Sequence, residues 1–276
     1  MSHVEAPFII AVIREKEKRF LGEPEMVRIM HATSLAEARE VLLSTPYALY
    51  LAGDASLSDG LTQYLESEFL WLQQSLDNAN VVAFLAARYD ALHCAQAVIA
   101  LATGQPHVSA ISRIGTLSHN TLQAMVFTDG YIPTKSTQYW FTCIHRQREA
   151  IAAGTWSMPF LFESMQHALE DYLEALATTS FMKALSSLVR ERHISDMAFR
   201  NNLGQVDPAR YEREWDAKAA TLARDLRFEP IGYDPIIAYW IAREMEYKTI
   251  RLLFAARAGG FAKQETLSLI RPFAHV

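Results

Sequence analysis

The segment Tyr233–Gly260 limits what this chain can fold into more than any other. Asp234 is a good helix N-cap, and Pro235 suits the first helical position. Gly259 or Gly260 supplies a left-handed residue to close the helix. About 24 residues lie between these signals, a rod roughly 36 Å long. Ile237, Ile241, Met245 and Leu252 share one face, and Ile236, Trp240, Tyr247, Ile250 and Phe254 share another. A helix apolar on two faces belongs inside a bundle rather than on top of a sheet. Arg243, Glu244, Glu246, Lys248 and Arg251 nevertheless sit in its middle and later turns, with Glu244 and Lys248 in the favourable i,i+4 order.

The rest of the chain reads the same way. Helical periodicity or good helix formers cover 8–21, 35–44, 57–73, 77–103, 134–152, 159–178, 181–202, 208–226, 235–258 and 263–270. Breaks fall at Gly22-Glu-Pro24, Gly53, Gly104-Gln-Pro106, Asp129-Gly130, Gly154, Gly204 and Glu229-Pro-Ile-Gly232. Residues 46–51 and 122–127 are candidate short strands without a clear partner, and 105–133 shows no firm period. The expected fold class is all-α.

A recurring pattern suggests internal duplication. Val81-Val-Ala-Phe-Leu-Ala-Ala-Arg88 resembles Ile250-Arg-Leu-Leu-Phe-Ala-Ala-Arg257, and Ala198–Gly204 reads as a more diverged third copy. All three read as helix ends. Two follow acid-containing segments, Glu66 with Glu68 and Glu244 with Glu246. The competing reading is that alanine-rich amphipathic helices resemble one another by chance.

With 276 residues, half of them hydrophobic, the chain has material for a substantial core. A formal charge of −5 argues against generic nucleic-acid binding. Between Arg39 and Arg88 there is no Lys or Arg, while Glu40, Asp54, Asp59, Glu66, Glu68 and Asp77 are present. Such asymmetry either steers a charged partner or reflects surface drift. The apolar run Pro7–Ile13 is too short for a signal peptide, and Ala91–Ser112 is interrupted by Gly104-Gln-Pro-His107, so no membrane span is expected. Two cysteines, Cys94 and Cys143, suit a reduced cytoplasmic setting.

Catalytic patterns are thin. There is no Gly-x-x-x-x-Gly-Lys loop, no Gly-x-Ser-x-Gly elbow, no His-Glu-x-x-His helix and no Glu-x-x-His pair. Glu163 and His167 are four apart, spacing for a shared metal or a plain hydrogen bond. His93 beside Cys94, and Cys143 two before His145, diverge on a helix, which favours buried cysteines beside surface histidines. Trp71, Trp140, Trp156, Trp215 and Trp240 read first as core or interface packing. No catalytic residue, cofactor or metal is assigned.

The last helix is similar to the signature region of the C-type central rotor subunits of bacterial and archaeal V/A-type rotary ATPases, whose eukaryotic equivalents are the d-type subunits. Pro235 to Gly260 follows that family's form: proline, two aliphatics, alanine, tyrosine, an acid-rich stretch, then arginine and an aliphatic run ending at glycine. Ala11–Phe20, with Arg14, Glu15 and Glu17, resembles the family's first helix. Met26–Leu43 resembles its next segment, a short helix, a small-residue turn and another helix, and Tyr47 stands where the family often has a tyrosine. About half the chain carries the resemblance. The chain is shorter than typical members, and residues 105–160 lack family character.

The resemblance implies three related helical bundles in a pseudo-threefold funnel, with approximate modules 1–105, 106–205 and 206–276. It implies a non-catalytic central rotor subunit that links the central-shaft subunits to the membrane rotor ring and is peripheral on the cytoplasmic face of the membrane through protein contacts. It also brings first and last helices close. Arg14, Glu15 and Glu17 would then meet Arg243, Glu244, Glu246 and Arg251 as a partner contact or as an internal ion-pair network. The rival readings are a helical enzyme with a scattered polar site such as Glu163, His167 and Tyr211, and a helical adaptor unrelated to rotary ATPases.

Overall fold

A computed structural model of the chain describes residues 6–52, 56–108, 112–201, 208–226, 228–261, 264, 266 and 270, with the side chains of 193–201 and 208–212 left out. The described residues are helical, without a strand. The helices are α1 (Ala6–Glu17), α2 (Glu23–His31), α3 (Leu35–Leu43), α4 (Leu57–Ser75), α5 (Ala79–Ala102), α6 (His119–Phe127), α7 (Gln138–Ala152), α8 (Met158–Leu176), α9 (Ser180–Asn201), α10 (Pro208–Leu226) and α11 (Asp234–Ala258). A short 3-10 helix, Pro46–Tyr50, lies between α3 and α4.

Local chemistry sets the boundaries. Ser34, Ser56, Ser118 and Ser157 each accept a backbone N–H three residues on, opening α3, α4, α6 and α8. Such caps contribute about 1 kcal/mol each. α11 begins one residue earlier than its sequence signals suggest: Tyr233 is the cap, and Asp234 lies in the first turn. At its far end Gly260, not Gly259, takes the left-handed conformation, with φ of 69°. Phe261 N donates to Ala256 O (3.0 Å) and Gly260 N to Arg257 O (3.2 Å), the paired bonds of a Schellman close.

Both candidate strands are helical instead. Residues 46–50 form the 3-10 helix because Thr45 Oγ1 accepts the Tyr47 N–H and Pro46 needs no partner at the first position. Residues 122–127 form most of α6, started by Ser118. Their apolar run is too short for periodicity to separate helix from strand, and the cap upstream decides it. The segment expected at 263–270 lies mostly outside the described residues.

Contacts divide the chain into two compact units, 1–77 with 194–276, and 78–193; these boundaries differ from the module limits expected near 105 and 205. In the first unit α11 is the central rod. It packs against α1, α2, α3, α4 and α10, and residues 235–246 are buried without interruption. Ile250, Leu253 and Phe254 close a core with Met26, Ile29, Val41, Leu42 and Leu61. Each large apolar side chain so buried contributes about 1.5–3 kcal/mol. In the second unit α5 is the rod, buried on nearly every side and packed against α6, α7 and α8.

The recurring segments do not occupy equivalent places. Val81–Arg88 begins α5, whereas Ile250–Arg257 ends α11. Glu66 and Glu68 lie on α4, a separate helix from the segment they precede, while Glu244 and Glu246 share α11 with theirs. Of the third segment, 198–201 end α9, and 202–204 lie outside the described residues.

Candidate functional site

The first unit is organised around a buried polar chain. Tyr239, Arg243 and Glu246 are four and three residues apart, so α11 presents them on one face. Glu246, fully buried, accepts from Leu21 N (2.6 Å), from the Tyr47 hydroxyl (2.8 Å) and from Arg243 Nη1. Arg243 Nη2 donates to the Tyr239 hydroxyl (3.3 Å), which donates in turn to Glu68 Oε2. Lys16 Nζ closes the chain on Glu68 Oε1 at 2.8 Å. Four elements and the stretch after α1 are thereby tied together, with two positive and two negative charges.

Aromatic faces complete the enclosure of Arg243. Its guanidinium carbon lies 4.0 Å from the ring centre of Phe20, 5.2 Å from Tyr64 and 5.5 Å from Tyr239. Guanidinium is weakly hydrated and stacks on such faces, which makes arginine the cation best suited to this interior. Burial works against its charge, but Glu246 and the surrounding phenols hold its pKa far above the ordinary range. Burial, then the Glu246 charge, pushes Tyr47 well up. Burial likewise raises Tyr64 and Tyr239, against the pull of Arg243. The phenols therefore remain protonated donors, and the chain works as a fixed lock rather than as a set of exchanging acids.

The sequence-derived polar residues divide between interior and surface. Arg243, Glu244 and Glu246 are buried. Glu17 is buried and paired with Arg14 at 2.8 Å. Glu15 makes an exposed pair with Lys18 (2.6 Å), and Arg251 reaches the Tyr247 hydroxyl at 3.0 Å on the surface. Tyr64, Lys16 and the Leu21 backbone escaped sequence reasoning, which noted Glu68 only as an acid ahead of a recurring segment and Tyr239 only as the tyrosine of the last helix's pattern. The i+3 and i+4 spacing of Tyr239 and Glu246 about Arg243 was the available signal.

The second unit has a different polar centre. Asp90, fully buried on α5, accepts from Thr116 N (2.9 Å), Thr116 Oγ1 (2.6 Å) and Leu117 N (3.1 Å). These bonds pin the segment leading into α6. Burial raises Asp90 to about 6 against the opposing effect of the three donors. His93, one turn on, is buried rather than at the surface, and burial depresses it to about 4. Gly115 passes so close that a Cβ there would lie 2.8 Å from Asp90 Oδ1 and 3.2 Å from His93 Nδ1.

Cys143 is buried with Sγ 3.6 Å from Met165 Sδ, and burial pushes its thiol up to about 12. Glu163 and His167 are both exposed on α8, His167 Nδ1 lying 4.0 Å from Glu170 Oε2; the Tyr211 side chain is outside the described residues. Trp140, Trp215 and Trp240 are buried in the cores. Among the described residues no three His, Cys, Asp or Glu side chains converge as a metal site, and no helix is long and apolar enough to cross a membrane. No protein-family model and no curated protein matches the chain, so its reading rests on the residues themselves.

Proposed function

We propose that this chain is a non-catalytic central rotor subunit of a V/A-type ion-translocating ATPase, linking the central shaft to the membrane rotor ring. One observation carries the reading. The residues that resemble the family at the two ends of the chain are bonded to each other: Glu246 of the last helix holds Tyr47 and the Leu21 N–H, which follow the first. A torque-bearing coupler needs stiffness, and a buried hydrogen-bonded network inside a packed bundle supplies it. In this reading the protein sits peripherally on the cytoplasmic face of the membrane through protein contacts, and its work is mechanical. The reading also carries a funnel of three related bundles, which a structure of the assembled complex would display or replace.

The test is recovery of the complex. The tagged chain, isolated from gently solubilised native membranes, should bring shaft and ring subunits with it. Recovery of the chain without any ATPase subunit ends the rotor reading.

A further inference from the structure

The first unit contains a cleft of about 830 Å³ between the end of α1 and the 3-10 helix. Its volume falls within the range of ligand-binding clefts. Its lining carries four cations, Lys16, Lys18, Arg19 and Arg243, against two carboxylates, Glu25 and Glu68, in a chain whose overall charge is negative. Arg243 is answered by Glu246 and Lys16 by Glu68. Glu25 is occupied in accepting the Gly22 N–H. Lys18 has only an exposed pair with Glu15, of the kind worth about 0–1 kcal/mol and readily exchanged. Arg19 is exposed and makes no side-chain hydrogen bond or ion pair among the described residues. Among the charged lining residues the two exposed cations, Lys18 and Arg19, stand at the α1 end.

The side formed by the end of α3 and the 3-10 helix is mixed, with Ser44 and Thr45 beside Pro46, Leu49 and Tyr50. Tyr50 and Tyr64 form part of the wall, and Leu49 stands at its lip with 85 % of its surface exposed. A small anion would satisfy Arg19 but leave Leu49 bare. We infer that the cleft receives an acidic segment of a partner protein bearing a large apolar side chain, its carboxylates on Lys18 and Arg19 and its apolar group against Leu49 and Tyr50. This combination of charge complementarity and apolar burial fits one extended peptide rather than a free ion. The inference stands apart from the rotor reading; where both hold, the segment belongs to a shaft or ring subunit.

The test uses the full chain and a fluorescein-labelled peptide of alternating Glu and Leu, followed by anisotropy. Saturable binding is expected. Arg19→Glu and Leu49→Asp should each weaken it at least about tenfold, and Lys135→Glu in the other unit should not change it. Both altered side chains are exposed, and circular dichroism checks that the variants fold. An all-Glu peptide and inorganic phosphate should compete poorly. Equal binding of the all-Glu peptide, or displacement by low-millimolar phosphate, would overturn the segment in favour of a simple anion site. Absence of saturable binding, or insensitivity to both variants, also overturns it. If Arg19→Glu abolishes peptide binding but the native chain recovers no ATPase subunit, the rotor reading fails while the cleft assignment survives. If the subunits are recovered but neither variant affects peptide binding, the cleft assignment fails alone.

Discussion

Both units bury charge beside their central helix, but by opposite means. In the first, Arg243 and Glu246 answer each other, Glu246 also holds groups 199 and 225 positions away, and Tyr239 carries the chain on to Glu68, 171 positions away. In the second, Asp90 is held by a hydroxyl and two backbone N–H groups, 26 and 27 residues on. Paired charges with aromatic cover connect distant parts of the chain. A carboxylate held by neutral donors fixes one nearby turn and is left with a raised pKa. The first device joins the ends of the sequence, while the second shapes a local crossing.

Breaking the first device should have the largest effect. Glu246→Ala leaves Arg243 buried without its carboxylate and removes the acceptor for Leu21 N and Tyr47. The expected loss is about 3–5 kcal/mol in urea unfolding. Hydrogen exchange should rise in peptides from 6–52 and 234–258 and stay unchanged in 119–152. A uniform rise across both units would mean that they do not open separately.

The second device should show itself through pH. Asp90, raised from 3.8 to about 6, contributes stability below pH 4 that is lost as pH rises through 6. His93, lowered from 6.5 to about 4, contributes stability above pH 6.5 that is lost as pH falls through 4. The two slopes oppose each other in the same window. Asp90→Asn should therefore make stability rise with pH more steeply than in the native chain, and His93→Phe should make it fall more steeply. The Asp90 contribution is at most about 3 kcal/mol. Parallel pH profiles for both variants and the native chain would remove the raised carboxylate from the account.

Gly115→Ala tests the geometry of the same turn. Its Cβ would lie 2.8 Å from Asp90 Oδ1, so the turn or α5 must shift, at a cost of about 1–3 kcal/mol. The loss should be smaller in the presence of Asp90→Ala, which removes the obstructing carboxylate. The smallest effect belongs to the surface. Arg251→Glu should change unfolding by under about 1 kcal/mol, because its contact with Tyr247 is exposed. A loss as large as that of Glu246→Ala would place Arg251 in the buried lock.

Much of the helical layout was legible in the sequence because periodicity and caps act within a few residues. The two-faced apolar pattern of 235–258 announced a buried rod, and α11 is one. The same local reading failed at 46–50 and 122–127, where apolar runs of five or six residues carry no usable period. It also treated His93 as a surface residue, since alternation along a helix does not show that α5 is enclosed on nearly every side.

The candidate site was legible only in its components. Arg243 and Glu246 stood out in the sequence as charges inside an apolar helix, open to either an internal or a partner role. Tyr47 was noted only for its place in a resemblance, and nothing tied the Leu21 N–H to Glu246. Sequence alone determined where most of the helices form, because backbone hydrogen bonding and capping are local. Tertiary structure decided which charges are paired, which phenols stay protonated and which arginine remains open at the cleft, because burial and Coulomb energies depend on distance in space, not along the chain.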